Sequence, residues 1–207
     1  MVTSSPDSPS RLSGSARRNQ IYQVAAETFY RNGYAATSVD QIAENVGILK
    51  GSMYYYIKSK EDLLFYIIEQ AHKDLTALFE RDQEYDEGVV ERLTRMIETH
   101  VRYICENPVS VGVFLNDFRF LSDDRRKIIV QYRDTYDARI RALLQEGQEK
   151  GVFNASMNVR LVTVGLLGMV NWVHQWHRPD GDLDAKEIAD EFVNSILRGI
   201  LATQSDR

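Results

Sequence analysis

Apolar residues recur at spacings of three and four positions along most of this chain, and sustained alternation of apolar and polar residues is rare. That period is typical of amphipathic helices, in which one stripe of side chains faces a core. In the first long segment Ile21, Ala25 and Phe29 share such a stripe, and Gly33 follows as a residue suited to end the helix. The pattern predicts an all-α protein.

Capping residues and helix breakers divide the chain into nine predicted helices. Ser38 precedes Gln41 by three residues, which is the spacing of a capping box, and Gly47 ends the short helix that follows. Asn107 ends another helix, because the residue before a proline is disfavoured in helical backbone. We expect helices over residues 15–32, 38–46, 50–57, 59–81, 89–106, 110–121, 122–150, 158–177 and from 184 onward.

These helices fall into two domains behind a tail. Residues 1–14 are rich in Ser and Pro and are expected to be a flexible tail, because they have little to bury. Residues 15–60 form a three-helix head, and residues 61–207 form a six-helix body with a loop near 84–88.

The charge of the chain is unevenly distributed between these domains. The 207 residues carry a net charge of −5, but residues 1–60 hold seven basic and four acidic side chains, a balance of +3. Any nucleic-acid binding must therefore come from a local patch on the head. Cys105 is the only cysteine, which excludes an internal disulfide. With no predicted membrane span or signal peptide, we expect a cytoplasmic protein.

The head has the size of a helix-turn-helix, with two short helices joined by residues 47–49. Met53, Tyr56 and Ile57 stand at helical spacing and are expected to face the supporting helices. The side chains on the other face carry hydroxyl and ammonium groups that can reach phosphates and base edges. These outward positions are Lys50, Gly51, Ser52, Tyr54 and Tyr55.

This head resembles the DNA-binding domain of the TetR family of bacterial transcriptional regulators. The resemblance extends from Arg18 through Ile68 and is carried by residues 37–43, Gly47, and the runs over 50–57 and 58–64. It implies a homodimeric, ligand-responsive repressor that binds a palindromic operator in double-stranded DNA and places its third helix in the major groove.

The resemblance also implies roles for individual residues. Ser38 would bond a phosphate, Tyr54 and Lys60 would hold the DNA backbone, and the remaining outward residues, Lys50, Gly51, Ser52 and Tyr55, would lie toward bases. Arg17 and Arg18 either reach phosphates and the minor groove or form a solvated arm. Asp40 either accepts from a cytosine amino group or is a solvated acid in the first turn of its helix.

Two helices of the body carry more apolar surface than one chain needs. Residues 161–176 are apolar nearly all round, and the last helix has an apolar stripe of its own. These faces favour a four-helix dimer interface, as the resemblance also implies, although one chain could cover both. The predicted interface residues are Trp176, Ile188, Phe192, Ile196 and Ile200.

Aromatic, methionine and polar side chains in the body favour an internal effector pocket over plain core. The run over 171–181 is similar to a TetR branch that controls fatty-acid, sterol or acyl-CoA catabolism, which implies an acyl-CoA or lipophilic acid whose charge Arg119 would meet. Planar hydrophobic drugs that induce efflux remain the other option. The predicted pocket residues are Met96, His100, Tyr103, Phe114, Phe118, Arg119, Met169 and Trp172.

Other functional classes find less support in the sequence. It contains no nucleophile elbow, phosphate-binding loop or metalloprotease pattern, so we expect neither an enzyme nor a cofactor. His174 and His177, with His100, have no clear carboxylate partner, and we expect no metal site. The remaining alternative is an α-helical scaffold, which would show no salt-dependent affinity for DNA.

Overall fold

The computed structural model describes residues 14–82 and 88–202, and most of the predicted tail and loop lie outside those ranges. Within them the chain is all-α, as predicted, with one isolated bridge between Phe153 and Leu201. A 3-10 turn follows α6. The helices are α1 (Gly14–Asn32), α2 (Val39–Val46), α3 (Lys50–Met53), α4 (Lys60–Asp82), α5 (Val89–Glu106), α6 (Pro108–Asp117), α7 (Asp123–Glu149), α8 (Val159–Trp176) and α9 (Ala185–Ile200).

The predicted caps form as the sequence suggests. The Ser38 hydroxyl accepts a hydrogen bond from the Gln41 amide at 3.1 Å, and Gly47 ends α2 in the left-handed region at φ 75°. At the other end of the chain, Asp184 and Glu187 complete a capping box at the start of α9. These local interactions set the helix boundaries because they pair backbone groups that the helix leaves free.

Helix α3 is shorter than predicted. Only Lys50–Met53 is regular helix, and residues 54–56 continue as a turn in which the Tyr56 amide donates to the Met53 carbonyl at 2.8 Å. Bonds of this i to i−3 type tighten the end of a helix. The inward stripe survives the change, because Met53 and Ile57 are both buried.

Two apolar cores lie at opposite ends of α4. The first core packs α1, α2 and α3 around Leu63 and Leu64, and it also takes in Val113 of α6 and Ile129 of α7. The second core packs α5, α7, α8 and α9, and α4 enters it through Phe79. A single helix of 23 residues therefore carries the head and forms a wall of the body.

Polar contacts fix the head against the body. The Ser122 amide donates to the Glu61 carboxylate at 2.8 Å, and Arg125 pairs with Asp62. The Tyr34 amide donates to the partly desolvated Asp117 carboxylate at 3.3 Å. These contacts join α6 and the start of α7 to the base of the head.

Candidate DNA-binding surface, effector cavity and dimer face

The third helix presents the predicted groups to solvent. Met53 is fully buried, whereas Tyr55 is 87% exposed and Tyr54 about half exposed. Lys50 and Gly51 are exposed and Ser52 is partly so. We call these residues, with Ser38, the DNA-facing surface. A hypothetical Cβ on Gly51 would meet no atom within 4 Å, so a DNA backbone can approach there closely.

Asp40 has a partner that sequence analysis did not anticipate. Its carboxylate pairs with the Lys50 ammonium at 2.8 Å, and both side chains are 58% exposed. The hydrogen bond to Asp40 raises the pKa of Lys50. Exposed pairs of this kind are weak, so a phosphate can compete for Lys50.

The Lys60 ammonium is engaged within the chain. Its ammonium donates to the Tyr34 carbonyl at 2.8 Å and to the Thr37 carbonyl at 2.7 Å, and it lies 4.1 Å from the centre of the Tyr34 ring. Burial lowers the pKa of Lys60. The expected phosphate contact is corrected to a structural one, because these bonds hold the segment between α1 and α2.

The basic side chains around the head differ in their exposure and in their hydrogen bonds within the chain. Arg17 donates to Gln20 at 2.9 Å within α1, whereas Arg18 is exposed. Lys58 is exposed beside α3, although sequence analysis left it out of the DNA-binding set. Its position two residues before Lys60 in a basic turn was the available signal.

An inner cavity of about 30 Å³ lies between α4, α5, α6 and α8. Three predicted pocket residues, His100, Tyr103 and Phe114, line it, and His72 and Asn171 join them. Sequence analysis missed His72 because one histidine on an amphipathic helix gives no distinctive pattern. The other lining residues are Ala71, Leu75, Ile104 and Val111.

The remaining predicted pocket residues lie elsewhere. Met96 packs in the body core, Phe118 packs against the head core, and Met169 is half-buried outside the cavity lining. Two predictions need correction. Trp172 is 62% exposed, since the buried side of α8 runs through Leu166, Val170 and Val173. Arg119 is exposed, with its guanidinium 5.0 Å from the Phe120 ring centre.

The inner cavity is uncharged at neutral pH. Burial lowers the pKa of His72 to about 4, with a further contribution from Arg133, and lowers the pKa of His100 to about 3. His100 Nδ1 and the Tyr136 hydroxyl are 2.9 Å apart. The cavity thus offers hydrogen bonds without a net charge.

An open cleft of about 550 Å³ borders the cavity between α1, α4 and the start of α6. Ala71 and Tyr103 line both spaces, and the Tyr103 hydroxyl donates to the Ala71 carbonyl at 3.0 Å. This pair therefore separates the inner cavity from solvent on that side. The rings of Tyr22 and Tyr66 stack at 3.6 Å along the cleft.

One side of α8 is apolar and exposed. Leu161 is 67% exposed, Val164 and Trp176 are also exposed, and a Cβ on Gly165 or Gly168 would meet no atom within 4 Å. We call these residues, with Trp172, the α8 face. Its glycines are not explained by packing within the chain.

The predicted interface residues of α9 lie mostly inside the chain. Ile188 and Ile200 are only 3% and 5% exposed in the body core, which corrects their assignment to a spare stripe. Phe192 and Ile196 are half-buried against the same core. The apolar surface left for a partner is therefore centred on α8.

In the described ranges, no group of three His, Cys, Asp or Glu side chains is placed to hold a metal ion. None of the helices described there combines the length and the hydrophobicity needed to cross a bilayer.

A three-helix head with an exposed reading helix, joined by one long helix to a bundle, defines a helix-turn-helix transcriptional regulator. Residues 21–67 match the model for bacterial regulatory proteins of the tetR family, and residues 86–200 match the tetracyclin repressor-like C-terminal domain. The chain is 31% identical over 208 residues to the HTH-type transcriptional repressor KstR2 of Mycolicibacterium smegmatis, with 98% of both chains covered. It belongs to the TetR family.

Solved structures agree with this assignment. The ketosteroid transcriptional regulator KstR2 of Mycobacterium tuberculosis superposes with a TM-score of 0.85 at 25% identity, covering 92% of this chain and 98% of that one. AibR in complex with isovaleryl coenzyme A and operator DNA gives a TM-score of 0.80 at 25% identity, covering 86% and 97%.

Proposed function

We propose that this regulator is a homodimeric repressor that binds a palindromic operator and leaves it when a small hydrophobic effector enters the body. The observation that carries the proposal is the DNA-facing surface on α3 and the turn after it, since the exposed rings of Tyr54 and Tyr55 contribute little to the core. The protein acts by binding rather than turnover, in the compartment that holds the DNA. Lys58 and Arg18 supply positive charge beside that surface.

The α8 face supports the dimer. Leu161, Val164 and Trp172 would be buried against the same residues of a second copy, and the open glycines at 165 and 168 allow two helices to approach closely. The two heads must then lie about 34–36 Å apart, or at a multiple, to enter successive major grooves on one side of the DNA.

An acyl-CoA or related lipophilic compound is the effector class we favour. The named ligand of AibR is isovaleryl coenzyme A, and the M. tuberculosis relative is called a ketosteroid regulator. The small, uncharged and largely apolar inner cavity supports a hydrophobic group at that point. It must expand to admit one, which would move α4 and the head.

Selection of bound duplexes from randomised DNA tests the DNA-binding part. Purified protein is expected to enrich one palindrome, and that duplex becomes the probe in later titrations. If no sequence is enriched at low or at moderate salt, the protein is not an operator-binding repressor and the scaffold alternative stands.

Displacement of the selected duplex tests the effector part. Isovaleryl-CoA and longer acyl-CoA thioesters are compared with free coenzyme A and with planar cationic dyes. Release by an acyl-CoA supports the proposal, whereas release by dyes alone would favour a regulator of drug efflux. A hundredfold release requires about 2.7 kcal/mol of preference for the released state.

A further inference from the structure

One residue of the inner cavity lining carries a buried hydrogen-bonding atom that has no partner among the described residues. His72 lines the cavity, and its Nε2 is buried without a hydrogen-bond partner among the described residues. A buried, unsatisfied ring nitrogen is unfavourable unless a ligand or water pairs with it. The volume of about 30 Å³ suffices for one water molecule.

Two other polar groups that line the cavity are engaged within the chain. The Tyr103 hydroxyl donates to the Ala71 carbonyl, and His100 Nδ1 is paired with the Tyr136 hydroxyl. The His72 ring is held in place by Phe114, whose ring centre lies 4.5 Å away in an edge-to-face arrangement. The orientation of the His72 ring is therefore set by its neighbours.

The electrostatic surroundings select against a charged partner. His72 is held neutral by burial, and Arg133, the cation that acts on it, is exposed on α7. A carboxylate in the cavity would lose its hydration without gaining a cationic residue in the cavity lining, which is costly. An uncharged oxygen loses less hydration and can pair with an imidazole nitrogen.

We propose that His72 Nε2 forms a hydrogen bond with an uncharged carbonyl or hydroxyl oxygen of the effector, and thereby selects such compounds over hydrocarbons and carboxylates of the same size. The inference rests on the proposed function, in which the effector occupies this cavity. His72 is then the residue that determines the specificity for the effector. The oxygen that it binds lies at the end of the effector that enters the cavity deepest.

The position of His72 also links recognition to the head. It lies 12 residues, or about 18 Å of helix, after Lys60 on the same α4. A ligand bonded to His72 therefore contacts α4, the helix that connects the head to the body. A displacement of α4 by the ligand would reach the head without passing through another helix.

Three probes of equal chain length test the proposal: 2-decanone, decane and decanoate. Binding to the full-length protein without DNA is followed by calorimetry and by the ring-nitrogen resonances of histidine. The ketone is expected to bind about tenfold more tightly than either other probe and to shift the His72 Nε2 resonance. Equal affinities, or an unmoved His72 resonance at ketone saturation or at its solubility limit, would overturn the proposal.

Two substitutions separate the hydrogen bond from the shape of the ring. His72→Phe keeps a ring but removes the nitrogen, so the preference for ketone over decane should fall to about one. His72→Gln keeps a polar group and should retain part of the preference. His177→Phe, at the end of α8, is the matched control and should bind as the wild type does.

The proposed function and the proposed role of His72 can be disproved separately. If the ketone binds through His72 but the protein enriches no DNA sequence, the proposed function is wrong and the specificity assignment stands. If DNA is bound and released by an acyl-CoA while His72→Phe responds normally, the specificity assignment is wrong and the proposed function stands.

Discussion

Lys58 lies in the turn before α4 and Lys60 is the first residue of α4, yet their side chains differ in what they contact. Lys58 is exposed, whereas Lys60 donates to two backbone carbonyls. Basic character alone therefore does not identify a phosphate contact. The direction of the side chain, set by the carbonyls of Tyr34 and Thr37, decides its role.

Substitution of these lysines should separate binding from stability. Lys58→Met is expected to reduce the salt slope of DNA binding by about one unit for each head of the dimer, and to leave unfolding unchanged. Lys60→Met should lower the free energy of unfolding by about 1–3 kcal/mol, because two carbonyls lose a charged donor. Fluorescence anisotropy and urea denaturation measure the two effects. Identical behaviour of both variants would contradict the assignment.

The buried imidazoles make the stability of the protein depend on pH. The pKa of His72 is lowered to about 4 and that of His100 to about 3, so the unfolded chain binds more protons once the pH falls below about 6.5. The two neutral imidazoles therefore make their full contribution to the free energy of unfolding above that pH, and this contribution falls as the solution is acidified. The pKa values of Glu61 and Asp62 are lowered too, but protonation of those carboxylates changes the stability only below about pH 4.5.

Denaturation at pH 7 and pH 5 checks this dependence. The free energy of unfolding should fall by about 2 kcal/mol for each of the two histidines. His72→Phe should lose about half of the change, whatever its stability at pH 7. A wild-type protein equally stable at both pH values would show that the imidazoles are not held neutral in the fold.

At the scale of elements, the turn between α2 and α3 sets the geometry of the head. Gly47 has φ 75°, and its amide bonds the end of α2, so a residue with a Cβ is strained there. Gly51 lies in α3 with open space around it. The two glycines are thus required for different reasons.

Alanine at each glycine should distinguish the turn from the DNA contact. Gly47→Ala is expected to destabilise the protein by about 1 kcal/mol. Gly51→Ala should leave stability equal or slightly higher, and weaken DNA binding by placing a methyl group at the groove. Thermal unfolding and duplex titration test the pair. Loss of stability in Gly51→Ala alone would reverse these roles.

Most of the helices could be predicted because their ends are encoded locally. Ser38, Gly47 and Asp184 act through backbone groups within a few residues of themselves. The end of α3 was missed because a turn with i to i−3 bonds carries the same apolar spacing as a helix. In α8 and α9 the period gave the helices but not which residues are buried within the chain, so Trp172 was expected inside the body and Ile188 at its surface.

At the scale of the whole molecule, α4 connects two cores and the α8 face is left uncovered. Trp172→Glu is expected to convert the dimer to a monomer, because a carboxylate would be buried against a second copy. DNA affinity should fall with it, while the fold persists, since Trp172 is exposed within the chain. Analytical ultracentrifugation measures the change.

Ile128→Glu is the matched control for this substitution. Ile128 is also exposed, but it lies on α7 away from the α8 face. This variant should sediment as the wild type does. If both variants remain dimeric, the interface lies elsewhere, and if the wild type is itself a monomer, the proposed assembly is wrong.

The most direct measurement of the central claim is the salt dependence of affinity for the selected palindrome, compared with a shorter duplex that is truncated to one half-site. Each phosphate contact contributes a slope of about −0.9 in log affinity against log salt, and a dimer uses two heads. We expect a steep slope on the palindrome and about half that slope on the truncated duplex, which offers phosphates to one head only. A flat slope, or identical slopes on both duplexes, would contradict an operator-binding dimer.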